Sequence, residues 1–122
     1  MKIRFDSTQP IFQQIAEMIE DDILNGTYDS DEQIISVAQF SGTFQINPAT
    51  VVKGIGLLVN EGILYKKRGL GMFVAAGAKD MIKSKRREKF DNELVTKLLE
   101  EAKKLDITTQ DVIEMIKQKD RG

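Results

Sequence analysis

The chain contains neither cysteine nor histidine. Their absence removes disulfides, thiol nucleophiles, imidazole bases, zinc fingers and most transition-metal sites together. No run approaches the roughly 18 consecutive apolar residues of a membrane span, and the start Met1-Lys2-Ile3-Arg4-Phe5-Asp6 lacks the apolar block of a signal peptide. The expectation is a cytoplasmic, non-enzymatic protein with no metal, no cofactor and no membrane partner. Carboxylate groups such as Glu20-Asp21-Asp22 and Glu100-Glu101 are expected on solvated helix faces, with no nucleophile or phosphate loop beside them. At 122 residues the chain has material for one modest core, or for one small domain with an appendage.

The formal net charge is only −1, but it is unevenly spread. Residues 1–50 hold two cations against eight anions, a net of −6, whereas residues 51–90 hold ten cations against three anions, a net of +7. Phosphate attraction depends on the field within about a Debye length, roughly 10 Å at 0.1 M salt, so the local block outweighs the total. Lys83 to Lys89 reads equally well as a solvated helix face. Lys66-Lys67-Arg68 does not, because it sits at the tip of a hairpin.

The pattern of elements supports that placement. Residues 1–9 form a polar lead with Ile3 and Phe5 alternating, read as an arm. From Pro10, Phe12, Ile15, Ile19 and Ile23 recur at helical spacing until Asn25-Gly26. Gln33-Ile34-Ile35 reads as a short strand. Ser36 is placed to cap a second helix carrying Val37, Phe40 and Phe44, and its hydroxyl is expected to touch a phosphate. Asn47 caps a third helix, Pro48 suits its first position, and Gly62 stops it. Val51, Ile55 and Leu58 form its buried stripe, leaving Ala49, Thr50, Lys53 and Gly54 for a major groove. Ala49 reads equally well as an ordinary first-turn residue. Ile63-Leu64-Tyr65 and Met72-Phe73-Val74 then make a hairpin, turned by Arg68-Gly69-Leu70-Gly71.

The DNA-facing set from this reading is Ser36, Asn47, Ala49, Thr50, Lys53, Lys66, Lys67, Arg68, Gly69 and Gly71. The fold class is mainly α with a small β-hairpin: a winged helix-turn-helix over residues 1–76, then a short two-helix tail over 77–122. The small residues Ala75-Ala76-Gly77-Ala78 mark the boundary. In the tail, Phe90, Leu94, Leu98 and Ala102 follow at a spacing of four. Thr108 with Asp111 forms a capping-box pattern before Val112, Ile113, Met115 and Ile116. Two short amphipathic helices cannot bury these edges on each other alone. Their partner is either the winged domain or a second copy of the chain.

Residues 10–75 resemble the DNA-binding domain of the GntR family of bacterial transcription regulators. The resemblance rests on Pro10-Ile11-Phe12-Gln13-Gln14-Ile15, Ile23-Leu24-Asn25-Gly26, Ser36-Val37, Asn47-Pro48-Ala49-Thr50-Val51, Glu61-Gly62-Ile63-Leu64-Tyr65 and Arg68-Gly69-Leu70-Gly71-Met72-Phe73-Val74. The short tail is similar to that of the YtrA-type branch, which implies a homodimer on a two-fold-related operator, with Phe90, Leu94, Leu98, Val112, Ile113 and Ile116 as dimerisation residues. A repressor is the expected action. The chain departs from the family at Ala38, where an arginine is usual, at Gln45, where the turn usually has glycine, after Thr50, where a typical basic pair is reduced to Val52 and Lys53, and at Gly54 and Gly56 inside helix three. The alternative is a winged-helix protein-interaction module that has lost sequence-specific DNA recognition. A small-molecule effector stays unassigned, since the tail offers little room for an enclosed pocket of ~300 Å³.

Overall fold

The computed structural model describes residues 8–122, so the expected arm formed by Ile3 and Phe5 lies outside the described residues. Helix α1 spans Ile11–Leu24, α2 Val37–Phe44 and α3 Pro48–Asn60. They are followed by an antiparallel hairpin of β1 (Leu64–Lys67) and β2 (Gly71–Val74), paired from Leu64 opposite Val74 to Lys67 opposite Gly71. Helix α4 covers Ala78–Lys89, a π-helical stretch covers Phe90–Val95, and α5 (Thr96–Lys104) and α6 (Thr109–Arg121) complete the chain. Among the described residues no helix is long and apolar enough to cross a membrane.

Local chemistry sets the helix starts. Ser36 Oγ accepts from Gln39 N at 3.1 Å while Gln39 Oε1 accepts from Ser36 N at 3.2 Å, a reciprocal capping box. Asn47 Oδ1 accepts from Ala49 N at 2.9 Å, and Pro48 takes the first helical position without losing a hydrogen bond. Between α2 and α3 the turn requires a left-handed residue, which explains the family's glycine there. Gln45 fills it at φ 56°, at a cost of roughly 1–2 kcal/mol for a side chain in that conformation.

The core joins Ile15, Ile19 and Ile23 of α1 to Phe40 of α2, Val51, Ile55 and Leu58 of α3, and Leu64 and Val74 at the base of the hairpin. Phe40 is wholly buried, worth about 1.5–3 kcal/mol, and meets Phe44 edge-on at 4.6 Å. Helices α1 and α3 approach closely. A Cβ on Gly54 would lie 2.7 Å from the Phe12 carbonyl oxygen and 3.0 Å from Ile15 Cγ2, so only glycine fits. Gly54 is therefore a packing residue and does not face outward as its place off the apolar stripe implied.

Two further expectations change. Glu20 and Asp22 are buried, at 2% and 6% exposure, because α1 is covered over a wider arc than its apolar stripe; Asp21 alone of the three is exposed. The expected strand at 33–35 is reduced to an antiparallel bridge between Gln33 and Phe73, flanked by Ile34 N donating to Met72 O at 3.0 Å.

The chain divides into two compact units, the first reaching Lys83 and the second running from Ser84 to Gly122. The division falls after the Ala75–Ala78 stretch because Ala78 and Ile82 belong to the core of the first unit. In the second unit, Thr108 Oγ1 accepts from Asp111 N at 3.0 Å and Asp111 Oδ2 accepts from Thr108 N at 3.1 Å, fixing the start of α6. A spacing of four overshoots an α-helical turn by about 40°. The wider π turn over Phe90–Val95 offsets that drift where the apolar series begins.

The glycines of α3 give a paired test. Gly54→Ala is expected to destabilise the protein by about 1–3 kcal/mol through overpacking, whereas Gly56→Ala, with no atom within 4 Å of an added Cβ, gains up to about 1 kcal/mol of helix propensity. Urea unfolding of the two variants measures both signs.

Candidate nucleic-acid interface

The second and third helices with the hairpin place the expected DNA-facing residues in one unit. Ala49 is exposed in the first turn of α3, Thr50 is half-buried beside it, and Lys53 is exposed one turn on. Ser36 and Asn47 spend a side-chain acceptor on their caps, so their first role is to hold the helix starts. Their helices nevertheless present free amide ends of the kind that favour anions.

The hairpin follows α3 directly. Ile63 N donates to Leu58 O at 2.9 Å, and Ala75 N returns to Ile63 O at 2.9 Å, so the wing springs from the end of the helix. Its tip is a four-residue turn in which Leu70 N donates to Lys67 O at 2.9 Å, with Gly69 at φ 80° in the third position. Gly71 adopts φ 130°, and a Cβ there would lie 2.7 Å from Gln33 Nε2. That amide needs the space: it donates to Leu70 O at 2.6 Å and ties the tip to the segment before α2.

A second tie lies nearer the base. Tyr65 donates its hydroxyl proton to Asp31 Oδ1 at 2.7 Å, and Asp31 N donates to Val74 O at 2.8 Å. The bond and the neighbouring negative charge hold the Tyr65 phenol above its ordinary value. Neither Gln33 nor Asp31 stood out in the sequence as a wing residue. Their partners lie more than thirty positions away, and no local pattern signals such a pair.

Lys66, Lys67 and Arg68 are all exposed, and among the described residues none of them is ion-paired. They are not equivalent. Tyr65 and Phe73 stack at 5.9 Å on one face of the hairpin, and Lys67 Nζ lies over Phe73 at 4.4 Å and Tyr65 at 5.9 Å. Lys53 Nζ similarly lies 4.0 Å over the Phe12 ring, drawn toward α1. Each exposed cation–π contact is worth about 0.5–1 kcal/mol, enough to bias a lysine stem without immobilising it. Ala38, where the family arginine is usual, is exposed and offers no side-chain hydrogen bond. Among the described residues no cluster of acidic side chains could hold a metal ion.

No protein-family model matches the chain. It is similar along 92% of its length to a solved putative transcriptional regulator of the GntR family from Bacteroides thetaiotaomicron, with 35% identity, 97% of that chain covered and a TM-score of 0.80. The DNA-binding domain of AraR, solved in complex with operator ORX1, matches 62% of the chain at 30% identity and a TM-score of 0.57, with 96% of that chain covered. Among curated relatives, the transcriptional repressor NagR of Bacillus subtilis is 37% identical over 75 residues, which are 62% of this chain and 31% of NagR. The repressor YtrA of the same organism is 32% identical over 73 residues, covering 60% of this chain and 56% of YtrA. The chain thus spans about a third of the length of NagR and just over half of YtrA.

The Tyr65 bond has a titration signature. The folded phenol has a raised pKa, so the stabilisation it reports is fully present below the unfolded value near 10 and is lost as pH rises through the folded value. In a Tyr28→Phe background, which leaves one tyrosine, ultraviolet titration is expected to show a midpoint above 10, and Asp31→Asn to bring it back toward 10.

Proposed function

The chain belongs to the GntR family of transcription regulators, and we propose that it works as a repressor that binds double-stranded DNA as a homodimer on a two-fold-related operator. The observation that carries this reading is the capped α3 running straight into a wing whose tip presents Lys66, Lys67 and Arg68 with no carboxylate partner among the described residues. In such a layout the second helix of the helix-turn-helix enters the major groove, and the wing attaches to phosphates or to the adjacent minor groove. Thr50 and Lys53 are then placed for the groove, and Ser36 and Asn47 for phosphates near the helix starts. Gly69 and Gly71 let the wing backbone turn tightly and approach the duplex.

The homodimer is supported by the second unit. Phe90, Leu94, Leu98, Ile113 and Ile116 are all exposed, whereas Val112 and Ala102 are buried. Five large apolar side chains in 39 residues form a surface that a second copy of the same unit can cover symmetrically. Val112 therefore contributes to holding the unit together and is a weaker candidate for the dimer contact than its neighbours.

Two measurements test these assignments. Lys66→Ala and Arg68→Ala are each expected to weaken binding to duplex DNA and to lower the slope of log affinity against log salt by about one, with the unfolding midpoint unchanged. Absence of binding to any duplex at low salt would instead favour a protein-interaction module. Leu98→Glu is expected to convert a dimer to monomers in sedimentation analysis and to abolish the two-fold footprint; unchanged sedimentation would place the dimer contact elsewhere.

A further inference from the structure

One flank of α3 is chemically bare. At about 100° per residue, Ala49, Val52 and Gly56 fall within about 60° of arc, and their side chains hold no hydrogen-bonding atom. Val52 is 55% exposed, although Val51 before it and Ile55 three residues on are buried in the core. Nothing in the fold requires an exposed β-branched residue there, and valine lowers helix propensity relative to alanine. Gly56, one turn on, is equally unexplained from within: an added Cβ would meet no atom within 4 Å. Its effect is to leave low relief beside Val52, open to close approach from outside. The nearest cation of the helix, Lys53, leans to the other side over Phe12.

We propose that Val52, with Ala49 beside it, reads thymine through its C5 methyl group in the major groove, making Val52 a specificity-determining residue. This rests on the DNA-binding reading above. The thymine methyl is the apolar group that a base pair presents in the major groove, and alkyl side chains are its natural partners. A guanine at the same position would bring two acceptors, O6 and N7, and no methyl to a surface with no donor, whereas thymine brings one acceptor, O4, beside its methyl. Specificity at this step therefore comes chiefly from the methyl contact. The wing cannot supply the same signal, because the methyl does not reach the minor groove.

The test uses the full chain. Duplexes are enriched from a randomised pool on the immobilised protein, and the preferred duplex is resynthesised with deoxyuridine replacing each thymine in turn. Loss of one buried methyl corresponds to about 0.8 kcal/mol, so about a fourfold fall in affinity is expected at each contacted thymine. In Val52→Ser the thymine-to-deoxyuridine difference is expected to vanish at that position, with circular dichroism reporting retained helix. Val52→Ala serves the same purpose should the serine variant fail to fold. Equal affinity of the wild-type protein for thymine and deoxyuridine at every position would overturn the inference while leaving DNA binding intact. A deoxyuridine effect that persists in the Val52 variants would assign the thymine contact to another residue and overturn it also. Failure to bind any duplex at low salt would remove the DNA-binding reading itself.

Discussion

The close passage of α3 across α1 at Gly54 is the constraint on which the first unit depends. With the Phe12 carbonyl only 2.7 Å from where a Cβ would stand, the two helices meet backbone to backbone without a spacer. That contact fixes which side of α3 is inward, and thereby which residues remain outside. It also aims the chain that follows, since Ile63 bonds back to Leu58 and the hairpin grows from that point. The placing of helix and wing therefore rests on a single glycine and on the Val51, Ile55 and Leu58 stripe beside it.

Electrostatics in this chain is local. A net charge of −1 coexists with a basic stretch that begins inside α3 and continues through the wing. Aromatic rings then sort the lysines: Phe12 draws Lys53 toward α1, and the Tyr65–Phe73 pair draws Lys67 onto one face of the hairpin. Among the described residues no ring lies under Lys66 or Arg68. With Ala38 in place of the usual arginine, the helix-turn-helix has one strong donor fewer, so in the proposed complex the wing adds to the attachment made at the helix starts, and apolar contact adds to the selectivity of Thr50 and Lys53.

The second unit follows a different logic. Its helix starts are made locally, by the Thr108–Asp111 box, and its winding is adjusted by the π turn, in which Thr96 Oγ1 donates to Asp91 O at 3.4 Å. Only Ala102 and Val112 are buried, however, and most of its large apolar side chains stay exposed. Local capping stabilises a helix without giving its apolar face anywhere to go. A unit of this kind is incomplete until another surface covers it.

The features that the sequence by itself determined are those whose chemistry lies within about four residues. The caps at Ser36, Asn47 and Thr108 were legible because donor and acceptor are close in the chain, and so were the apolar stripes and the Gly69 turn. Tertiary structure decided everything that joins distant segments. It buried Gly54, Glu20 and Asp22, which had read as outward-facing, and it paired Gln33 with Leu70 and Asp31 with Tyr65 across more than thirty residues. It also left Val52 exposed next to the buried Val51. Periodicity reports one helix face at a time, whereas burial depends on how many sides of a helix are covered, and that is set only when the other elements arrive.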